Sequence, residues 1–178
     1  TLSHPADAAL RALMAARINC PLKGYSGIRP EPIQLLAQCL NQGILPVIPS
    51  QGSVGASGDL APLAHMALLL VGEGLAWDGD RHIPGGEALR KAGLAPIQLQ
   101  PKEGLALING TQLITSLGNL AVARLQELIP LADEIAALSL EALRGTRAAF
   151  DPRIHEARPH PGQIDAAAHM RELLGTTS

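Results

Sequence analysis

Three glycines and two serines fall within seven residues, from Gly52 to Gly58, and an acidic residue, Asp59, follows them directly. An apolar helical pattern begins behind this loop at Leu60. Glycine adopts backbone conformations that other residues reach only at a cost. A loop of small residues that leads into a helix N-terminus can bind an anion or place a reactive group. We therefore expect a tight, strained loop, with Asp59 as the N-cap or first-turn acid of the helix and Pro62 tolerated in its first turn.

The common glycine-rich motifs do not match this loop. A Walker A loop needs a lysine after its last glycine, and no lysine occurs between Lys23 and Lys91. A nucleophile elbow needs glycines two residues before and two residues after the serine, and Gly55 is present but Asp59 stands at the second position. A dinucleotide-binding fingerprint is also absent. Composition alone leaves an ordinary turn that caps a helix as the alternative.

Residues 52–64, Gly-Ser-Val-Gly-Ala-Ser-Gly-Asp-Leu-Ala-Pro-Leu-Ala, resemble the signature of the amino acid ammonia-lyases that form a methylidene-imidazolone from an Ala-Ser-Gly triplet. The triplet here is Ala56-Ser57-Gly58. The resemblance implies that the amide nitrogen of Gly58 attacks the carbonyl carbon of Ala56, and that Ser57 then loses its hydroxyl as water. It also implies that no external cofactor is needed and that an α-amino acid substrate loses ammonia.

A second segment, Asn109-Gly110-Thr111, also resembles this family. By itself an Asn-Gly pair indicates a turn or the end of a helix. The resemblance places Asn109 at the active site, where its amide can donate to a carboxylate and accept from an amine. Gln112 resembles the histidine-specific branch, whereas the phenylalanine and tyrosine branches tend to carry a small residue there. The expected reaction is conversion of L-histidine to urocanate, and a phenylalanine or tyrosine ammonia-lyase or an aminomutase is the alternative.

Other motifs of the family do not occur in this sequence. The resemblance implies a catalytic tyrosine in an N-terminal segment and further tyrosine, arginine and glutamate residues beyond the equivalent of Ser178, and Tyr25 does not match any of them. The Ser3-His4 pair resembles a site Ser-His pair but lies several residues too close to Ala56. We expect residues 1–178 to form a single helical region of a longer lyase chain, inactive by itself. The second hypothesis is a non-catalytic helical fragment with an assembly role.

Composition limits the partners. Apolar residues make up 47% of the 178 residues, which indicates a globular fold, and the net charge is −2 with scattered basic residues. We therefore expect neither nucleic acid nor a membrane as a partner, and the longest apolar run, Leu60–Val71, is too short for a membrane span. Cys20 and Cys39 are expected to be buried thiols in a cytoplasmic protein. The resemblance implies that the protein forms a homo-oligomer, because the members of this family are tetramers.

No metal site is expected, because the histidines of the C-terminal region lack a compact ligand spacing. These histidines are His155, His160 and His169.

Hydrophobic periodicity predicts a mainly α fold: a bundle with long helices, the glycine-rich loop at a helix N-terminus, and at most a small β-hairpin near Trp77. Residues 44–49 are expected to be extended because they contain two prolines, and Pro130 is expected to kink or divide the longest helix. The predicted helices are Ala8–Ile18, Glu31–Leu40, Leu60–Val71, Glu87–Ala92, Thr111 to about Leu143, and a last helix that opens at residues 160–165 and runs to Leu174.

Overall fold

A computed structural model describes residues 8–56 and 58–175 and confirms the mainly α fold with one small hairpin. Two short 3-10 turns, Pro21–Lys23 and Arg147–Phe150, link helices. The chain forms two compact units, Thr1–Leu120 and Ala121–Ser178. The elements in chain order are α1 (Ala8–Asn19), α2 (Pro30–Asn41), α3 (Leu60–Leu70), β1 (Leu75–Asp78), β2 (Arg81–Pro84), α4 (Gly85–Lys91), α5 (Glu103–Ile108), α6 (Gln112–Ala142), α7 (Pro152–Glu156) and α8 (Pro161–Leu173).

Proline begins three of the helices. Pro30, Pro152 and Pro161 each occupy the first position of their helix, where the missing N–H would have no partner within the helix. The residues before them, among them Arg29 and His160, are extended, as the proline ring requires of its predecessor. Proline therefore fixes where α2, α7 and α8 start.

The core of the first unit is aliphatic and lies among α1, α2 and α3. Of the apolar residues of α1 that recur at helical spacing, Leu10, Leu13 and Met14 are buried, whereas Ala15 is exposed. Leu36 of α2 and Leu63 and Met66 of α3 are also fully buried in the same cluster. Burying a side chain of this size contributes about 1.5–3 kcal/mol. This packing holds the start of α3, and therefore the loop that precedes it, in a fixed place.

The segment that leads into the glycine-rich loop is extended, as predicted, and it borders the hairpin. The amide of Val47 donates to the carbonyl of Leu75 at 2.8 Å, and the amide of Trp77 donates to the carbonyl of Leu45 at 2.9 Å. Strands β1 and β2 pair antiparallel, with Asp78 opposite Arg81 across the turn. The predicted hairpin is therefore confirmed, and it anchors the lead-in to the loop.

Helix α6 is continuous through Pro130, so of the two expectations for this proline the division of the helix is wrong and the kink stays a prediction. Pro130 and the residue four positions earlier, Gln126, are both exposed. Water can therefore satisfy the carbonyl that loses its helical partner. Most of the predicted apolar stripe of α6 is exposed in the described chain, including Leu125, Leu128 and Leu138. By length and composition, Glu103–Ala142 contains a stretch apolar enough to cross a membrane, a property shared by core helices of soluble proteins.

The second unit has a small core of its own. Ala137 of α6 packs with Met170 and Leu174, which lie in and directly after α8. The ring nitrogen Nδ1 of His169 lies 2.9 Å from Oδ2 of Asp133, and this contact joins the same two helices.

The two cysteines differ in their exposure to solvent. Cys39 is fully buried in the first unit, and burial raises the pKa of its thiol to about 11. Cys20 is exposed, so its predicted burial is wrong. It follows the last residue of α1 and precedes the turn at Pro21–Lys23, which places it beyond the packed face of the helix.

A buried carboxylate ties the segment before α2 to the start of α5. The side chain of Glu103 is 2% exposed and accepts from Nε of Arg29 at 2.7 Å and from Nη2 at 2.9 Å. It also accepts from the backbone amides of Gln100 at 2.7 Å and Arg29 at 3.2 Å. Hydrogen bonds from Arg29 are the main reason that the pKa of Glu103 falls to about 2.

The Glu103 carboxylate predicts a specific loss of stability in acid. Because its folded-state pKa lies below the ordinary 4.5, it contributes stability above about pH 4.5, and that contribution disappears as the pH falls toward 2. Glu103→Gln should lower the free energy of unfolding at pH 7 by about 1–3 kcal/mol. Its difference from the unsubstituted protein should shrink through this pH range in urea titrations.

Asp78→Asn is the matched control, because Asp78 also pairs with a cation, Lys91 at 2.8 Å, but the two side chains are 38% and 51% exposed, far more than the 2% of Glu103. Exposed ion pairs contribute little, so this variant should leave the free energy of unfolding at pH 7 nearly unchanged. A Glu103→Gln variant as stable as the control at pH 7 would contradict the assignment.

Candidate active site

The glycine-rich loop meets the Asn109-Gly110 turn through its backbone. The amide of Asp59 donates to the carbonyl oxygen of Gly110 at 2.7 Å. Gly58 has a φ of +128°, and a Cβ at this position would lie 2.7 Å from the same oxygen. A side chain at position 58 is therefore excluded both by its backbone conformation and by the lack of space. The structure thus brings Gly58 of the predicted triplet against the residue that follows Asn109.

Of the other two members of the triplet, the structure describes Ala56 only. Ala56 is exposed, and Ser57 lies outside the described residues, as do Ser3 and His4. The loop before the triplet is also exposed and turns at Gly52 and Gly55, which have φ values of +139° and +66°. The fully buried residues of α3 hold the C-terminal end of this loop in place.

Asp59 has a different role from the predicted cap of its own helix. It stands at the N-cap position of α3, but its side chain makes no capping bond there. Its Oδ2 instead accepts from the backbone amide of Ile114, in the first turn of α6, at 3.0 Å, and Oδ1 accepts from Oγ of Ser53 at 3.0 Å. The carboxylate therefore caps a helix 55 residues further along the chain.

The sequence contains part of the reason for this correction. An N-cap side chain bonds the amide of the second or third helical residue, and α3 lacks one of these two donors because its third residue, Pro62, has no N–H. The fully buried Asp59 carboxylate instead accepts from a donor on α6. This bond holds the start of α6 beside the glycine-rich loop.

Asn109 lies immediately after α5, in an extended conformation with φ −90° and ψ +106°. Its backbone amide donates to the carbonyl of Leu105 at 3.0 Å, and its carbonyl accepts from Nη1 of Arg17 at 3.1 Å. The residue itself is exposed, so its backbone is fixed while its side chain faces solvent. This arrangement leaves the amide group available to a ligand.

Arg17 was not predicted as part of the site. Its guanidinium is buried and donates to the carbonyls of Ala106 and Asn109 and to Oε1 of Gln112. Desolvation by this burial lowers its pKa. A signal was present in the sequence, because Arg17 follows Leu10 and Met14 along the apolar stripe of α1 at helical spacing. A charged residue at a core position needs polar partners from elsewhere in the chain.

The hydrogen bonds of Asp59 predict a graded loss of stability. Asp59→Ala leaves the Ile114 amide and the Ser53 hydroxyl without this acceptor and should cost about 1–3 kcal/mol for the buried amide. Asp59→Asn keeps one oxygen for Ile114 and can donate to Ser53, so it should retain most of the stability. Urea unfolding and the hydrogen-exchange rate of the Ile114 amide measure the two effects.

Ser53→Ala is the control, because it removes the contact between Ser53 and Asp59 and the bond that the Gly55 amide donates to Oγ of Ser53 at 3.4 Å, but leaves the cap on α6 intact. It should be close to the unsubstituted protein in the exchange rate of Ile114. Equal Ile114 exchange in Asp59→Ala and Ser53→Ala would contradict the capping role.

Comparison with known proteins identifies the family. The sequence model of one protein family, aromatic amino acid lyase, matches residues 2–178 of this chain. The histidine ammonia-lyase of Gloeobacter violaceus is 56% identical over 164 residues, which are 92% of this chain and 32% of that protein. The chain therefore spans about a third of the length of this curated relative.

Solved structures share the fold. The histidine ammonia-lyase of Trypanosoma cruzi superposes with a TM-score of 0.86 at 46% identity, over 92% of this chain and 32% of that one. The phenylalanine aminomutase of Pantoea agglomerans gives a TM-score of 0.87 at 40% identity, over 92% and 31% of the two chains. The sequence match and the shared fold agree along nearly the whole described chain. The chain belongs to the aromatic amino acid lyase family.

Proposed function

We propose that the complete protein eliminates ammonia from L-histidine to give urocanate, through an electrophile that Ala56, Ser57 and Gly58 form without an external cofactor. The observation that carries the proposal is the backbone contact between Gly58 and Gly110, which joins the triplet to the Asn109 turn. The 56% identity to a histidine ammonia-lyase supports the choice of reaction.

The described residues fit the formation of this electrophile. The amide nitrogen of Gly58 attacks the carbonyl carbon of Ala56, and the carbonyl oxygen leaves as water. Ser57 then loses its hydroxyl and its α-hydrogen as a second water, which leaves a methylene carbon. The positive φ of Gly58 and its contact with Gly110 constrain the turn at the attacking residue, and the small Ala56 side chain does not crowd the ring.

When formed, the group supplies an electrophilic methylene that activates the substrate for loss of its amine. The neighbouring residues orient the reactants. Asn109 offers an exposed amide that donates to the substrate carboxylate or accepts from the amine. The N-terminus of α3 begins at Leu60, and its dipole favours negative charge beside the triplet by about 0.3–1 kcal/mol at an exposed site.

Further groups, including the base that removes the β-proton, are proposed to come from other parts of a longer chain. The sequence carries the triplet and Asn109, but the described residues place no tyrosine at the candidate site, because Tyr25 is 94% exposed on a separate loop. We therefore propose that residues 1–178 are a portion of the enzyme with little or no activity alone. The alternative is a non-catalytic helical fragment with an assembly role.

The cytoplasmic homo-oligomer also belongs to this proposal. The exposed apolar stripe of α6 is consistent with the homo-oligomer, since a large exposed apolar face marks a surface that another surface covers. The remainder of a longer chain, a second subunit of the tetramer that the resemblance implies, or both would cover it.

Gln112 favours histidine among the substrates of the family. An aminomutase or a phenylalanine or tyrosine ammonia-lyase is the second candidate, and the similarity to the tyrosine aminomutase of Streptomyces globisporus, 47% identical with a TM-score of 0.85, favours it. These reactions start from the same kind of α-amino acid, so only turnover can separate them.

Turnover of histidine, phenylalanine and tyrosine by the complete protein tests the proposal. We expect urocanate from histidine, with kcat/KM at least about tenfold above that for the other two, a difference of about 1.4 kcal/mol. Asn109→Ala should lower kcat/KM by about 100-fold, in the range of a lost transition-state donor. Light scattering on the same sample should report a homo-oligomer.

Gln42→Ala is the matched control for Asn109→Ala, because Gln42 also carries an amide directly after a helix but lies outside the candidate site. It should leave turnover unchanged. Absence of urocanate together with release of cinnamate or coumarate would transfer the assignment to the second candidate.

A further inference from the structure

Arg17 is connected to the candidate site by three hydrogen bonds, although it lies on α1 and is 92 residues from Asn109 in the sequence. Nη2 donates to the carbonyl of Ala106 in α5. Nη1 donates to the carbonyl of Asn109 at 3.1 Å and to Oε1 of Gln112 at 2.9 Å. One guanidinium thus bonds the end of α5, the turn that follows it and the first residue of α6.

The guanidinium also defines the space around Gly110. A Cβ on Gly110 would lie 2.6 Å from Nη1 of Arg17 and would collide with Oε1 of Gln112. On the other side, the carbonyl of Gly110 accepts from the amide of Asp59 and touches Gly58. Gly110 is therefore held between the Arg17–Gln112 pair and the glycine-rich loop.

The same bond fixes the orientation of Gln112. A guanidinium has only donors, so the atom of the Gln112 amide that faces Arg17 must be the oxygen. The amide nitrogen, which carries two donors, is left for other partners. The carboxamide of Gln112 is therefore presented as a donor rather than an acceptor.

We propose that Arg17 is a positioning residue. Its hydrogen bonds hold the Asn109–Gln112 turn in contact with the Gly58–Asp59 peptide and fix the orientation of the Gln112 amide. The role of this turn in turnover rests on the proposed function, whereas the mechanical coupling does not. Arg17 itself touches no reacting atom and acts through Asn109 and Gln112. Its effect is therefore on the geometry of both segments at once.

Hydrogen exchange followed by mass spectrometry tests the coupling in the complete protein. Arg17→Met keeps an unbranched apolar stem on α1 and removes every donor. It should accelerate exchange about tenfold or more both in peptides covering residues 109–112 and in peptides covering residues 58–60, because the amide of Asp59 is bonded to Gly110. Arg11→Met is the matched control, since Arg11 is on the same helix and exposed, and it should change neither peptide.

Arg17→Lys is the second variant, and it guards against a failure of Arg17→Met to fold. Lysine keeps a charge and three donors but lacks the planar fork that reaches separate acceptors. It should give intermediate exchange in both segments. Unchanged exchange at residues 58–60 in both variants, or in Arg17→Lys where Arg17→Met does not fold, would overturn the proposal. Acceleration in Arg17→Met that Arg17→Lys reverses would support it.

Turnover distinguishes positioning from a general loss of stability. The value of kcat is divided by the fraction of chains whose residues 56–58 have lost two waters, so that unfolded or uncyclised chains do not count. Arg17→Met should lower this corrected kcat about 10–100-fold with a smaller change in KM, since misplaced groups act chiefly on the transition state. Arg17→Lys should restore part of it, and a corrected kcat within twofold of the unsubstituted protein would overturn the catalytic part.

The hydrogen-exchange and turnover experiments together distinguish a failure of this inference from a failure of the proposed function. If the unsubstituted protein converts no amino acid and residues 56–58 are unmodified, the proposed function fails. The exchange arm still decides whether Arg17 couples the two segments in that case. If the unsubstituted protein is active and the exchange rates of the variants match those of Arg11→Met, only the role of Arg17 fails.

Discussion

The backbones of Gly58 and Gly110 touch, and the amide of Asp59 donates to the Gly110 carbonyl at 2.7 Å. Two segments that lie far apart in the chain are joined here without a side chain between them. A Cβ on Gly58 would meet the backbone carbonyl of Gly110, which excludes a side chain there, and a Cβ on Gly110 would displace the side-chain ends of Arg17 and Gln112. The relative position of the glycine-rich loop and the Asn109 turn depends on this contact.

Buried charges surround the contact and keep its two sides in place. Asp59 caps α6, Arg17 bonds the turn between α5 and α6, and Glu103 ties the start of α5 to Arg29. A charge is costly to bury unless it is paired or hydrogen-bonded. Glu103 is paired with Arg29, and Asp59 accepts two hydrogen bonds. Arg17 donates three, although its Nε is buried without a partner among the described residues. These bonds hold residues 98–114 to α1, to the segment before α2 and to the glycine-rich loop. The aliphatic core among α1, α2 and α3 supplies the rigid support.

Patterns that depend on neighbouring residues predicted much of the fold. Helices α1, α2, α3, α4, α6 and α8, the extended lead-in with two prolines and the hairpin near Trp77 follow from periodicity and turn residues, and the structure confirms them. The short helices α5 and α7 were not predicted, because six and five residues are too few for a periodic apolar pattern. The triplet and Asn109 came from a resemblance to a family signature, and their catalytic roles remain predictions.

The contacts that were missed connect residues far apart in the chain. The cap by Asp59 spans 55 residues, and the bond from Arg17 to Gln112 spans 95, so neither leaves a periodic trace. Local signs existed in both cases: Pro62 removes a donor that an N-cap would use, and Arg17 occupies a core position of α1. The burial of Cys20 and a division at Pro130 were predicted wrongly, because both depend on which helix face solvent reaches.

High-resolution mass spectrometry of the peptide spanning Ala56 to Gly58, isolated from the complete protein, is the decisive test of the proposed electrophile. We expect a mass lower than that of the sequence by two waters, one from ring closure and one from Ser57. Ser57→Ala provides the reference, since it has no hydroxyl to lose. An unmodified mass in the complete, folded protein would contradict the proposal, because the contact between Gly58 and Gly110 would then hold a glycine-rich turn and no electrophile.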